Sequence, residues 1–292
     1  MVVAVLRLLA RLPLSWLHAA GSVLGRLVYW SSPVYAARLR ANLRSSGVCR
    51  GEAHCRAVLK SAVAETGKGV AELIAIWFGS AEKVAGLVAG VDGWDAVEAA
   101  RARGKGVILL TPHLGCFEIA SLYIAQQAPL TALYRPPKLR WLEPLMLAGR
   151  ERWQAMLAPA NLRGVRMLYR ALQKGGQVGL LPDQAPGAGE GVWADFFGRP
   201  AYTMTLVLRL QRATGAAIVM GYAERLPGGR GYRLQVEELQ ADRLDEAGLN
   251  RAIETLVRRC PEQYLWSYNR YKVPAGAPPP GKAEGDKQKA EG

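Results

Sequence analysis

Histidine and cysteine are scarce in this chain. Its 292 residues include three histidines and four cysteines. Cys49, Cys55, Cys116 and Cys260 form no Cys-x-x-Cys pair and no metal-ligand spacing, which excludes zinc ribbons and thioredoxin-type redox centres. They read as reduced, mostly buried thiols of a cytosolic environment. His18 and His54 have no evident partner, so a histidine-rich metal site is not expected. Gly-x-Ser-x-Gly, a complete Walker loop and Gly-x-Gly-x-x-Gly are absent, which removes the commonest hydrolase, nucleotide and dinucleotide chemistries. Acid is missing from the first 50 residues, which carry Arg7, Arg11, Arg26, Arg38, Arg40, Arg44 and Arg50. A long apolar run is missing too. The longest uncharged stretch of the front segment, Leu12 to Gly25, spans 14 residues, whereas a helix needs roughly 20 to cross a bilayer.

What is present is a core-forming, basic protein. Half the residues are hydrophobic, the formal charge is +14, and mean hydropathy is +0.01, which fits neither a disordered chain nor a polytopic membrane protein. Such charge suits nucleic acid, an anionic membrane or an acidic partner. No basic stripe with interleaved aromatics occurs, so nucleic acid is not the expected partner. Residues 1–32 are expected to form a membrane-associated helix, with arginines at headgroups and Trp16, Tyr29 and Trp30 at the interface. A secretory signal and an ordinary edge helix of the core are the competing readings.

Residues 34–88 read as helices. "GVILLTPH" (106–113), "PLTALYRP" (129–136), "QVGLLPDQ" (177–184), "AAIVMGYAERL" and "YRLQVEEL" read as strands, the last two joined by a turn at "PGGRG". Helical patterns cover 118–126, 141–157, 164–174 and 244–259, and another helix is expected after Thr203. Strands alternating with helices predict an α/β fold with a mixed, mostly parallel central sheet flanked by helices. Residues 33–273 form the expected catalytic domain, and 274–292 a disordered tail poor in apolar residues.

The chemistry centres on "TPHLGCFEIA" (111–120). His113 ends a buried strand, where α/β sheets bind ligands. Residues five apart on one helix stand about 140° apart, at about 100° per residue. His113 and Glu118 therefore meet only if His113 lies in the loop and Glu118 in the first turn of the next helix. Glu118 would then fix the imidazole tautomer, and the other nitrogen would take a proton from a hydroxyl. The alternative is a strand-end histidine bonded to backbone, with Glu118 facing solvent. Cys116 offers a Cys–His nucleophile pair, but no third group is evident and its context is apolar.

His-x4-Glu after a buried strand resembles the His-x4-Asp/Glu signature of glycerolipid-type acyltransferases. "ALYRPPK" (132–138), "LLPDQAPGAGEGVWADFFGRPAYT" (180–203), "PEQYLWSYNRYK" (261–272) and the early "ARLRANLRSSG" are similar to successive blocks of the bacterial lipid A biosynthesis (late) acyltransferases. The resemblance spans about residues 1 to 273. It implies an enzyme at the cytoplasmic face of the inner membrane, monomeric and without a cofactor. Such an enzyme moves a fatty acyl chain from acyl carrier protein or acyl-CoA to a hydroxyl of a lipid A precursor. A lysophospholipid or aminolipid acceptor is the alternative. It assigns His113 as base, Glu118 as its partner and Arg150 as a functional arginine. Tyr134, Arg135, Asp183 and Gln184 become substrate-binding residues. Many members carry Asn-Trp before the glutamate; Cys116-Phe117 stand here, which touches the pocket wall. No "PEGTRS"-like block occurs, against a glycerol-phosphate acceptor.

Overall fold

The computed structural model describes residues 2–137 and 139–281. In chain order the helices and strands are α1 (Val2–Leu9), α2 (Leu14–Ser31), α3 (Pro33–Ser45), α4 (Glu52–Phe78), α5 (Ala81–Ala85), β1 (Val88–Asp92), α6 (Trp94–Ala102), β2 (Val107–Leu110), α7 (Phe117–Gln127), β3 (Leu130–Tyr134), α8 (Glu143–Arg150), β4 (Ala155–Pro159), α9 (Leu162–Gln173), β5 (Gln177–Leu180), β6 (Gly191–Phe196), β7 (Arg199–Met204), α10 (Leu206–Thr214), β8 (Ala217–Arg225), β9 (Tyr232–Leu239) and α11 (Glu246–Arg259). Seven strands form one sheet in the order β1-β9-β8-β2-β5-β3-β4. Its pairings are parallel except β8–β9, as the "PGGRG" turn predicted.

β2 sits at the centre of this sheet and is buried on both faces, which is why it reads as an unbroken branched run. Its side chains alternate. Ile108 and Leu110 join a core with α9, α10 and α11, while Val107 and Leu109 join one with α6 and α7. The three-layer α/β architecture therefore stands as expected.

Several elements differ from the sequence reading. The helical pattern over 141–157 stops at Arg150, and β4 follows as an edge strand. Arg152 leaves the helix to donate to the carbonyls of Ile76 and Gly79, capping the end of α4. β6 and β7 form a separate antiparallel hairpin turned by Phe197 (φ 49°) and Gly198 (φ 68°); Phe196 and Phe197 pack in the core. Of the expected tail, residues 274–281 are described, and Trp193 donates to the carbonyl of Pro278; residues 282–292 lie outside the described residues.

The front of the chain is two helices, not one, bent by 113° around Pro13. Among the described residues no single helix is long and apolar enough to cross a membrane; this bent pair together meets that length and composition. α2 lies against α4 through a glycine seam, where a Cβ at Gly21 would meet the Gly67 carbonyl at 2.6 Å. The opposite face exposes Val23, Leu27, Trp16 (65% exposed) and Trp30 (85%). Cys49 and Cys55 are joined as a disulfide rather than left as free thiols, while Cys116 and Cys260 are free and buried.

Candidate active site

Parallel strands put their carboxyl ends on one edge of a sheet, and β2 pairs with β5 so that Leu110 stands opposite Leu180. His113 follows the first by three residues and Asp183 follows the second by three. The register thus delivers both side chains to one point. His113 Nδ1 lies 2.8 Å from Asp183 Oδ1, and the His113 backbone N–H donates to Oδ2 at 2.9 Å. Beside an ionised carboxylate Nδ1 carries the proton, so Nε2 presents a lone pair. That lone pair accepts from Gln184 Nε2 at 3.0 Å.

Asp183 is only 2% exposed. Burial pushes its carboxyl up, but its electrostatic interaction with His113 and the two hydrogen bonds from that residue outweigh burial and hold it below the ordinary range. Burial together with the Asp183 charge pushes the Tyr264 phenol well up. The loop is clamped from the far end of the chain. Leu265 N–H donates to the His113 carbonyl at 3.0 Å and Gly115 N–H to the Gln263 carbonyl at 3.1 Å. Gly115 has φ +60°, and a Cβ there would sit 2.0 Å from the Ala223 carbonyl oxygen, so glycine is required.

Glu118 does lie in the first turn of α7 with His113 in the preceding loop, yet it does not hold the imidazole. It accepts from Arg150 Nε at 3.0 and 2.9 Å, from Arg150 Nη2, and from Trp77 Nε1 at 3.2 Å. Asp183 takes the place the spacing gave to Glu118. Asp183, read from the resemblance as a substrate-binding residue, sits behind the ring and is not among the residues that line the cavity. Burial pulls the Arg150 guanidinium down, and the charge and hydrogen bonds of Glu118 raise it by more. Among the described residues Arg150 Nη1 has only the Met146 thioether, at 3.1 Å, a weak acceptor. Gly149 lets α8 approach α4, since a Cβ there would lie 2.4 Å from Trp77 Cγ.

These groups face a cavity of about 800 Å³. His113, Glu118, Arg150, Tyr134, Arg135 and Gln184 line it, as do apolar side chains including Leu122, Leu133, Leu157 and Leu210. Tyr134 donates to Glu143 at 3.3 Å. Phe117 packs on the imidazole at 4.9 Å between centroids. A mainly apolar pocket with a few converging polar groups is the form of a small-molecule or lipid-chain site. Cys116 is buried, and burial with the Glu72 charge pushes its thiol well up, which leaves no thiolate for nucleophilic attack.

The model of the bacterial lipid A biosynthesis acyltransferases matches residues 1–273. The chain belongs to this family. It is an acyltransferase, and the family's activity is acylation of lipid A. It is 28% identical to the lipid A biosynthesis lauroyltransferase of Escherichia coli K12, over 94% of this chain and 92% of that one. It is 33% identical to the palmitoleoyltransferase of the same strain over 63% and 61%, and 24% identical to the myristoyltransferase over 84% and 78%. These relatives are named for acyl chains of different kinds.

Several residues around the candidate site escaped the sequence reading. Trp77 is 41 positions from Glu118, to which it donates, and Tyr264 pairs across the chain with Leu114 in the His113 loop, so no local spacing marks either. His18, read as partnerless, bonds Glu72 at 3.2 Å in a buried network. Arg225 donates to Glu72 at 2.7 Å and to the Gly115 carbonyl at 3.1 Å, and Tyr232 donates to Glu72 at 2.8 Å. This network joins α2, α4 and the loop that carries His113.

Proposed function

We propose that the protein transfers a fatty acyl chain from the thioester of acyl carrier protein or coenzyme A to a hydroxyl of a lipid A precursor, with His113 as general base and Asp183 as its orienting carboxylate. The observation that carries this reading is the imidazole geometry: Nδ1–H is fixed by a buried carboxylate, and Nε2 faces a large, mostly apolar cavity. The acceptor hydroxyl displaces the Gln184 amide and donates to Nε2.

As His113 takes the proton, the hydroxyl oxygen attacks the thioester carbonyl. The C–O bond forms and negative charge collects on the former carbonyl oxygen. Arg150 Nη1 is the donor left for that charge, because the rest of its fork is held by Glu118. The C–S bond then breaks, and the departing sulfur takes the proton from His113. The acyl chain is covered by the apolar walls. No acyl-enzyme is needed, and the thiol of Cys116 stays a spectator.

The exposed face of α1 and α2 supports a position at the cytoplasmic face of the inner membrane. Trp16 and Trp30 would seat at the interface, and arginines would meet anionic headgroups. The net positive charge suits an acidic carrier protein as donor. Purified protein supplied with labelled acyl carrier protein and a lipid A precursor should give a product heavier by one acyl chain. Acylation of lysophospholipid or aminolipid in its place overturns the acceptor assignment.

A further inference from the structure

Beyond the imidazole, the same cavity carries positive charge that the acyl-transfer step does not use. Along α9 the lining residues are Leu162, Val165, Arg166 and Tyr169, and along α10 they are Leu206, Arg209, Leu210 and Ala213. Each set follows the i, i+3, i+4, i+7 spacing of one helix face. Each face is otherwise apolar or aromatic, with one arginine facing the cavity. Arg135, just after β3, lines it as well.

The ion pairing of the cavity is uneven. Arg150 is matched by Glu118. Among the described residues Arg135, Arg166 and Arg209 have no carboxylate within 4.0 Å. The remaining acid of the lining, Glu190, accepts from the Gly187 backbone N–H at 3.0 Å. Three guanidinium groups without a carboxylate partner, all of them solvent-exposed, against one carboxylate give the cavity lining a positive excess, and a cleft focuses such a field. Guanidinium forks match phosphate oxygens two at a time.

We infer that Arg166 and Arg209, with Arg135, form a phosphate-binding subsite that docks the charged end of a substrate while its reacting group reaches His113. This rests on the proposed acyl transfer for its role, but the binding chemistry stands by itself. Two substrates bring the same group: a phosphate on the lipid acceptor, or the phosphodiester of the arm that carries the thioester.

The test uses the full-length protein in detergent and the double variant Arg166→Gln/Arg209→Gln. Arg163→Gln and Arg212→Gln, on the same helices but outside the lining, serve as controls. Loss of charged hydrogen bonds to phosphate should raise one KM by about tenfold or more, with kcat within about twofold. If the acceptor is the source, the rise disappears with a dephosphorylated acceptor. If the donor arm is the source, it disappears with acyl-pantetheine, which lacks the phosphate. An unchanged KM for both substrates, or an equal rise in the controls, overturns the subsite.

Inorganic phosphate titrated calorimetrically separates this from the wider reading. Binding seen in wild type and in His113→Ala but lost in the double variant supports the subsite, even if a lipid A precursor proves not to be the acceptor. Equal phosphate binding by wild type and the double variant overturns it.

Discussion

Asp183 holds His113 through both carboxylate oxygens, one to the ring and one to the backbone of the same residue. The carboxylate thereby sets the ring tautomer and the loop conformation together. Asp183→Asn should leave the loop bonded but offer the ring a neutral partner. Acyl transfer should fall by about 10³-fold with a similar KM. Steady-state rates, with circular dichroism to check the fold, measure this; a loss under about fivefold would contradict the role.

Glu118 and Arg150 act as one unit. Either Ala substitution should lower kcat by about 10²-fold or more, since the fork that leaves Nη1 for the oxyanion is lost. The double variant should be little worse than the worse single one. Arg150→Lys should not rescue, because an ammonium has no fork. Additive losses in the cycle argue for separate roles.

Cys116→Ala should keep transfer within about threefold of wild type, with stability lower by about 1 kcal/mol for the lost sulfur contacts. Its thiol, pushed up by burial, should resist alkylation in the folded protein. Complete loss of transfer would instead indicate a covalent route.

Much of this site was legible in the chain. The strand ending at His113, the helix opening near Glu118 and the α/β alternation follow from local patterns of branched residues and helical spacing. The partner of the imidazole was not, because Asp183 stands 70 residues away and reaches His113 through the Leu110–Leu180 register, a property of the assembled sheet. A carboxylate five positions off was the only local candidate, and it turned out to be matched to a guanidinium. The edge strand β4 was hidden by a helical pattern that ends where Arg152 turns to cap α4. The likeness of "PEQYLWSYNRYK" to a family block gained its reason only in three dimensions, where Gln263, Tyr264 and Leu265 grip the His113 loop.

The Glu72 network predicts an acid-sensitive fold. Burial pushes the Glu72 carboxyl up, but Arg225 and His18 outweigh it and bring it down to about 2 from 4.5. A carboxyl lowered in the folded state stabilises fully above its unfolded value, and that contribution is lost as pH falls from 4.5 toward 2. Urea midpoints taken across this window should drop steeply in wild type. In Glu72→Gln the curve should be flatter and start lower, by about 3 kcal/mol for a broken buried pair. An identical slope in both would sink the assignment.

Trp16→Ala/Trp30→Ala should weaken sedimentation with anionic vesicles by about fivefold, while transfer between detergent-dispersed substrates is unchanged. Unaltered vesicle binding would move the membrane face away from α2.

The central claim is that Nε2 of His113 takes the hydroxyl proton. The most direct measurement is the initial rate at which purified His113→Ala moves a labelled acyl chain from its thioester to the lipid acceptor. We expect a fall of about 10³-fold or more with the fold and vesicle binding intact; a rate near that of wild type would contradict the account.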